Sequence, residues 1–276
     1  MFNPILPLTL DDLPDCLALA QDREWLPEDH KWRLLFAVGT VYGLRDEAGD
    51  LAGTTVLTRY GTGLAAVSMV LVAARYGGQG LGRRLMTHAL AGAGDAIVFL
   101  NATEHGRPLY EKLGFVSVGT TCTHVGGFVS PGSRAGSRPA KPGDLPVIRK
   151  LDAQANGADR AYLMERLPGF AEQLRVVERE GLITGYGGAW RNVDNVIIGP
   201  VIAGSVDDAK TLIAELAGTA AGPVRLDLDD RYPQLHDWAT RHGVALRNST
   251  TVMVHGDRSL PGDRSRWFIP LMQALG

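Results

Sequence analysis

The same order of predicted secondary structure occurs on both sides of one Pro-, Gly- and Ser-rich segment, and this repetition constrains the fold most strongly. Residues 130–146 read SPGSRAGSRPAKPGDLP, a stretch in which apolar periodicity is lost. The composition predicts a linker over 131–146 that separates a domain at 1–130 from a second domain at 147–276. Each half has an ordinary size for a folded domain.

The first half is predicted to begin with two helices, followed by an antiparallel meander of three strands and a Gly-rich loop. After the loop, helices and strands alternate. The predicted helices span 9–20, 28–38, 81–91 and 107–113, and the predicted strands span 40–45, 51–60, 64–72 and 96–101, with another from Phe115.

The second half repeats this order. Its predicted helices span 152–163, 206–219 and 235–242, and its predicted strands span 174–179, 182–190, 196–203, 224–229 and 245–255. One fold used twice is the simplest interpretation. The sequence therefore predicts an α/β protein of the α+β kind, with a mixed sheet in each half.

Charge and cysteine content exclude several classes of protein. Lys and Arg number 28 against 30 Asp and Glu, and this balance lacks the basic field that binding to nucleic acid requires. The apolar runs are too short for a spanning helix, and acidic residues replace the positive region of a signal peptide, so no membrane is expected and the location is predicted to be cytoplasmic. Cys16 and Cys122 are the two cysteines, and they indicate neither a disulfide framework nor a metal site.

The most informative segment is the Gly-rich loop that follows the strand at 64–72. Its glycines are Gly77, Gly78, Gly80 and Gly82. A loop of this kind at a helix amino end can direct several backbone amides at one anion, which favours a phosphate ligand. Arg83 and Arg84 follow where a P-loop needs Lys and Ser or Thr, and the spacing also fails the dinucleotide-binding fingerprint.

Three segments resemble the GNAT superfamily of acyl-CoA-dependent N-acetyltransferases. They are Val70-Leu71-Val72, the segment YGGQGLGR at 76–83 and the segment PLYEKLGF at 108–115. The resemblance covers about 5–129 well, and it covers the second half only by the order of its elements. It implies two GNAT-like domains in tandem, each with a mostly antiparallel central sheet flanked by helices, and acetyl-CoA as cosubstrate without a metal.

The resemblance also implies how CoA would bind. In the family, the strand before the loop diverges from the next strand, and the pantetheine arm lies between them. The residues implied in CoA binding are Val70, Leu71, Val72, Gly78, Gln79, Gly80, Leu81, Gly82 and Arg83. Two positions depart from the family. Gly77 stands where Arg or Gln is usual, and Thr103 stands where a CoA-contacting Asn is frequent, so we expect weakened CoA binding.

Acyl transfer from a thioester to an amine requires a neutral amine, a donor for the developing oxyanion and a proton for the departing thiolate. Tyr110 lies in a short predicted helix at the position of the family's proton donor, and the alternative is a core tyrosine with a satisfied hydroxyl. The backbone amide of Val70 or Leu71 is the candidate oxyanion donor. Glu104 or His105 is a candidate base for the amine, and the alternative is that no single residue acts as base.

The second half departs from the pattern where a cofactor would bind. Gly204-Ser-Val-Asp-Asp208 contains no GxG, and its two acidic residues would repel a phosphate at the helix amino end. We therefore expect a degenerate GNAT-like domain. Acceptor-pocket candidates from this half are Trp190, Asp227, Asp229 and Trp238.

The predicted function is transfer of an acetyl group from acetyl-CoA to the primary amine of a small molecule, by direct attack in a ternary complex. The alternative is a non-catalytic acyl-CoA-binding or sensing protein that retains the fold. A homodimer is possible. Residues 1–130 alone are expected to keep CoA binding and to lose turnover of the acceptor.

Overall fold

The computed structural model describes residues 2–132 and 136–276. Its first half contains the helices α1 (Leu13–Asp22), α2 (Asp29–Val38), α3 (Leu81–Ala93) and α4 (Arg107–Glu111) and the strands β1 (Leu6–Pro7), β2 (Thr40–Arg45), β3 (Leu51–Tyr60), β4 (Leu64–Val72), β5 (Ile97–Ala102) and β6 (Phe115–Gly126). These elements match the predicted ones closely.

The second half contains the helices α5 (Leu145–Asn156), α6 (Ala161–Met164), α7 (Leu167–Phe170), α8 (Val206–Ala217) and α9 (Pro233–Arg241) and the strands β7 (Ser137–Pro139), β8 (Gln173–Arg179), β9 (Leu182–Arg191), β10 (Val196–Ile202), β11 (Val224–Asp229), β12 (Ala245–His255) and β13 (Trp267–Ile269). Short 3-10 turns lie at Leu10–Asp12, Ala74–Tyr76, Pro142–Asp144 and Arg264–Arg266.

All strands of the described residues belong to one mixed sheet, which confirms the predicted α/β class. Its order is β1-β2-β3-β4-β5-β12-β6-β11-β10-β9-β8-β7, with β13 beside β10. Most neighbours are antiparallel, and the exceptions are the parallel pairs β4 with β5 and β10 with β11.

The two halves exchange strands at the centre of the sheet. Strand β12 of the second half pairs with β5 on one side and with β6 on the other. Strand β6 of the first half in turn pairs with β11 of the second. The two predicted sheets are therefore joined through interleaved strands, an arrangement that the linear order of elements does not reveal.

Helices cover both faces of the sheet. Helices α1, α2 and α5 to α7 share one face with a continuous apolar core that includes Trp32 and Trp190. Three separate clusters lie outside this core: one around Met86 of α3, one around Leu85 of α3 and one around Leu212 of α8. This packing buries the apolar stripe of each helix against the sheet. No helix in the described ranges is long and apolar enough to cross a membrane.

Some elements differ from the prediction. The helix predicted at 152–163 is α5, which begins at Leu145 and ends where Gly157 adopts a left-handed conformation with φ of 64°. The segment predicted as a linker contains β7, which pairs with β8, and the first residues of α5. Residues 133–135 of that segment lie outside the described residues. Strands β1 and β13 are too short to show a period-2 pattern.

Candidate active site

Strands β4 and β5 are paired only at one end, so a gap opens between them. Their pairing runs from Leu64 opposite Ile97 to Ala66 opposite Phe99. Beyond Ala66, β4 continues to Val72 beside β3 alone. A polar chain placed in this gap would meet backbone groups on both of its sides.

A bulge in β4 lies beside the gap. Met69 has a φ of 49°, rare for a residue with a side chain, and the pairing of β3 with β4 shifts register at this point. The buried hydroxyl of Thr54 on β3 donates to the Met69 carbonyl oxygen at 2.9 Å. After the bulge, Val70 packs in the cluster on the α3 face, whereas Leu71 packs in the core on the other face.

The Gly-rich loop leads from β4 to the start of α3. Gly78 and Gly80 have φ values of 75° and 79°, and an added Cβ at either residue would point into open space. Gly80 caps α3, whose first amides have no partner within the helix. Within the described chain, no main-chain carbonyl outside regular helix and strand bonding accepts from the amides between those of Gly77 and Arg84. These amides can therefore hold an anion together.

The remaining loop residues surround this amide cluster. Leu81 is buried, and the side chains of Gln79 and Arg83 are exposed to solvent. Gly82 lies against α4, because an added Cβ there would come within 3.0 Å of Leu109. Gly77 has an extended conformation that any residue can adopt, with φ of −57°. No backbone requirement therefore explains glycine at position 77.

Tyr110 projects from α4 into the cluster that also contains Val70. Its side chain is 9% exposed, and burial raises the pKa of the phenol to about 12. Its hydroxyl has no hydrogen-bond partner in the described part of the chain, so no protein group satisfies it in the way that the alternative interpretation requires. Gly106 makes room for the ring, because an added Cβ would lie 3.1 Å from it. The raised pKa keeps this phenol protonated near neutral pH, so a proton is present for donation.

The loop between β5 and α4 carries three further predicted residues. The Thr103 hydroxyl accepts a hydrogen bond from the Gly106 amide at 3.2 Å, so it helps to start α4. Glu104 and His105 are exposed, and neither side chain forms a hydrogen bond or an ion pair within residues 2–132 and 136–276. Each is free to meet a ligand, and the contacts do not distinguish between them as base.

A small cavity lies on the sheet face opposite Tyr110 and is lined by both halves of the chain. Its volume of about 10 Å³ has room for about one water molecule. Its lining includes Phe99 and Asn101 from β5 together with Arg264 and Trp267 from the second half. The Asn101 side chain donates to the Gln273 carbonyl at 2.8 Å. Sequence reasoning missed this contact because the carboxyl-terminal segment showed no periodic pattern.

The four acceptor-pocket candidates of the second half do not line this cavity. Trp190 is fully buried and donates to the Leu271 carbonyl. Trp238 packs against the cluster around Leu212. Asp227 accepts hydrogen bonds from Arg225, Thr123 and Gln273. Asp229 is paired with Arg231. The polar groups of Trp190, Asp227 and Asp229 are therefore already engaged within the protein.

The equivalent gap in the second half is filled by the protein itself. Strand β10 pairs with β11 only from Val196 to Ile198, and β13 then pairs with β10 where the gap would open. The chain following β13 packs so closely that a Cβ added at Gly199 would lie 2.2 Å from the Pro270 carbonyl oxygen. No open slot remains there for a pantetheine arm.

The amino end of α8 also has its own carboxylate. The Ser205 hydroxyl caps the helix by accepting from the Asp208 amide at 3.1 Å. The Asp208 carboxylate accepts hydrogen bonds from Arg179 and Thr184 and is buried. A second anion would face the negative charge of Asp208. Among the described residues, no group of three or more His, Cys, Asp or Glu side chains is arranged to hold a metal.

Comparison with known proteins adds independent findings. Two family models, both described as an acetyltransferase (GNAT) domain, match residues 39–128 and 148–269. An uncharacterized N-acetyltransferase of Bacillus subtilis (strain 168), YitH, is 27% identical over 253 residues, which cover 90% of this chain and 89% of that protein.

Two solved structures share the fold over nearly the whole chain. A protein of Pyrococcus horikoshii, described as a proposed acetyltransferase, has a TM-score of 0.80 at 18% identity and covers 99% of this chain and 95% of its own. A tandem GNAT protein from the clavulanic acid biosynthesis pathway has a TM-score of 0.65 at 14% identity, with coverage of 94% and 100%.

Proposed function

Because the chain belongs to the GNAT acetyltransferase family, with one domain in each half, we propose that it transfers an acetyl group from acetyl-CoA to a primary amine of a small molecule. The amine attacks the thioester directly while both substrates are bound. The observation that carries this proposal is the open gap between β4 and β5, with Tyr110 in the apolar cluster that Val70 of β4 also joins.

Acetyl-CoA is assigned to the first half. The amides of the Gly78 to Arg83 loop would hold the pyrophosphate at the amino end of α3, where the helix dipole favours negative charge. Strand residues Val70, Leu71 and Val72 would border the pantetheine arm and the thioester. Thr103 is assigned to the edge of the CoA site, with its hydroxyl already engaged in starting α4.

The chemical steps are assigned to three groups. A backbone amide of the β4 bulge would donate to the thioester oxygen as negative charge develops on it. The Tyr110 hydroxyl would give its proton to the departing CoA thiolate. Glu104 is the first candidate for removing a proton from the amine, directly or through water, and His105 is the second; an amine that arrives neutral needs neither.

The test is release of CoA thiol from acetyl-CoA across a panel of small primary amines, with the acetylated product identified by mass spectrometry. Sustained turnover with at least one amine is expected. Tight binding of acetyl-CoA without turnover of any amine or peptide amino terminus would instead support the alternative of an acyl-CoA-binding or sensing protein. Turnover of peptide amino termini alone would show that the acceptor is a peptide and not a small molecule.

Acetyl-CoA is expected to bind once per chain. The loop of the first half has free amides, whereas the second half has β13 in its gap and Asp208 at its helix end. Titration calorimetry should therefore give a stoichiometry near one. Gly80→Val should weaken binding strongly, because its φ of 79° strains a β-branched residue, whereas Ser205→Ala should leave the affinity unchanged. A stoichiometry near two would contradict this prediction.

Replacing Gly77 by Arg is expected to tighten acetyl-CoA binding by roughly three- to tenfold, the range for one partly exposed charge-assisted hydrogen bond. The Gly77 backbone accepts a side chain without strain, and its added Cβ would lie 3.4 Å from the nearest atom, the Ala74 carbonyl oxygen. Binding would be measured at two salt concentrations. A gain in affinity that vanishes at high salt would support contact between the arginine and a phosphate. Gly77→Met, which adds a long side chain without the charge, serves as the control.

A further inference from the structure

The β4 bulge contains a buried hydrogen bond between a side chain and the main chain. Thr54 is fully buried on β3, and its hydroxyl donates to the carbonyl oxygen of Met69 at 2.9 Å. Met69 is the bulge residue with positive φ. The hydrogen bond therefore acts on the peptide group that joins Met69 to Val70.

The orientation of that peptide group also determines where the Val70 amide points. In a trans peptide, the C=O and N–H bonds point to opposite sides of the chain. Because the Met69 carbonyl points to Thr54 on β3, the Val70 amide points away from β3. The side of β4 away from β3 is the side where the pairing with β5 has ended. The Val70 side chain lies in the cluster that contains Tyr110.

We propose that Thr54 is a positioning residue, whose hydroxyl holds the Met69–Val70 peptide so that the Val70 amide donates to the thioester oxygen of acetyl-CoA. This inference rests on the proposed function. It also distinguishes the Val70 amide from that of Leu71 as the oxyanion donor. A donor fixed before the substrate arrives needs no reorganisation when charge develops, which is the condition under which one hydrogen bond accelerates acyl transfer.

The neighbouring hydroxyls provide a matched comparison. Thr55 and Thr58 also lie on β3 and are buried, and within the described residues their hydroxyls have no hydrogen-bond partner. Removing the Thr58 hydroxyl therefore repeats the change in polarity and volume without altering the bulge. Thr58→Val is the control for Thr54→Val, since valine keeps the shape of threonine in both cases.

Thr54→Val is expected to lower kcat by roughly 10- to 100-fold, with little change in the KM for acetyl-CoA. This loss of rate is smaller than that expected when an oxyanion donor is removed altogether, because the Val70 amide is still present. Thr54→Ser should restore most of the rate because it keeps the hydroxyl. Thr58→Val should leave kcat unchanged. If valine at position 54 prevents folding, the pair Thr54→Ser and Thr54→Ala provides the same comparison.

A spectroscopic measurement tests the inference without turnover. Infrared difference spectra would be recorded with acetyl-CoA labelled with ¹³C at the thioester carbonyl. A hydrogen bond from Val70 lowers the carbonyl frequency, so Thr54→Val should raise it while Thr58→Val leaves it unchanged. The same frequency in wild type and Thr54→Val would overturn this inference alone. Failure of the wild-type protein to bind acetyl-CoA would overturn the proposed function and this inference together.

Discussion

Replacing Tyr110 by Phe should lower kcat by roughly ten- to a thousandfold while acetyl-CoA affinity stays nearly unchanged. The change removes the free hydroxyl and keeps the ring that packs 6.0 Å from Phe115. Tyr42→Phe is the matched control, because Tyr42 packs against the same apolar cluster. Full activity of the Tyr110 variant would reduce this residue to a packing role.

The pH dependence follows from the raised pKa of Tyr110. An unperturbed tyrosine loses its proton near pH 10, whereas burial raises the pKa of Tyr110 to about 12. The phenol therefore remains protonated, and able to donate, at every pH from 6 to 10. We expect the wild-type rate to rise as the amine loses its proton and to show no fall by pH 10. An alkaline fall with an apparent pKa near 9 that disappears in Tyr110→Phe would contradict this expectation.

A fragment of residues 1–130 should not form a stable domain, in contrast to the expectation from the sequence. Its strand β6 would lose β12 on one side and β11 on the other, and β5 would lose β12. Unpaired strand edges of this length favour aggregation. Purified alone, the fragment should show little cooperative unfolding in urea and no binding of acetyl-CoA.

The control divides the chain at the same position and supplies both pieces together. Residues 1–130 and 131–276 expressed together should assemble, because each supplies a strand that the sheet of the other needs. Recovery of acetyl-CoA binding in the mixture, with neither piece active alone, would assign the defect to strand exchange. A fragment of 1–130 that unfolds cooperatively and binds acetyl-CoA would refute the prediction.

Local signals predicted most elements of both halves. The meander, the Gly-rich loop and the helix after it are encoded by neighbouring residues, such as the glycines that permit positive φ at positions 78 and 80. The acidic start of α8 likewise indicated a second half without a phosphate site, and the structure adds the contacts of Asp208 that explain it.

The features that the sequence did not reveal depend on distant residues. Strand β13 has three residues and gains its partner β10 only in the folded protein. The contact of Asn101 with Gln273 joins positions 172 residues apart. The bulge at Met69 carries no glycine to mark it, because tertiary contacts such as that with Thr54 stabilise its positive φ. No local pattern records these interactions.

The interleaving of β12 and β6 also determines when this protein can fold during synthesis. The ribosome completes β6 at Gly126, yet β12, the strand that separates it from β5, ends only at His255. The centre of the sheet must therefore wait until residue 255 has emerged, and the edges of β5 and β6 stay unpaired in the meantime. Such long-range pairing slows folding and prolongs exposure of these edges. Nascent chains stalled before β12 should accordingly depend on chaperones, whereas chains stalled beyond it should resist proteolysis.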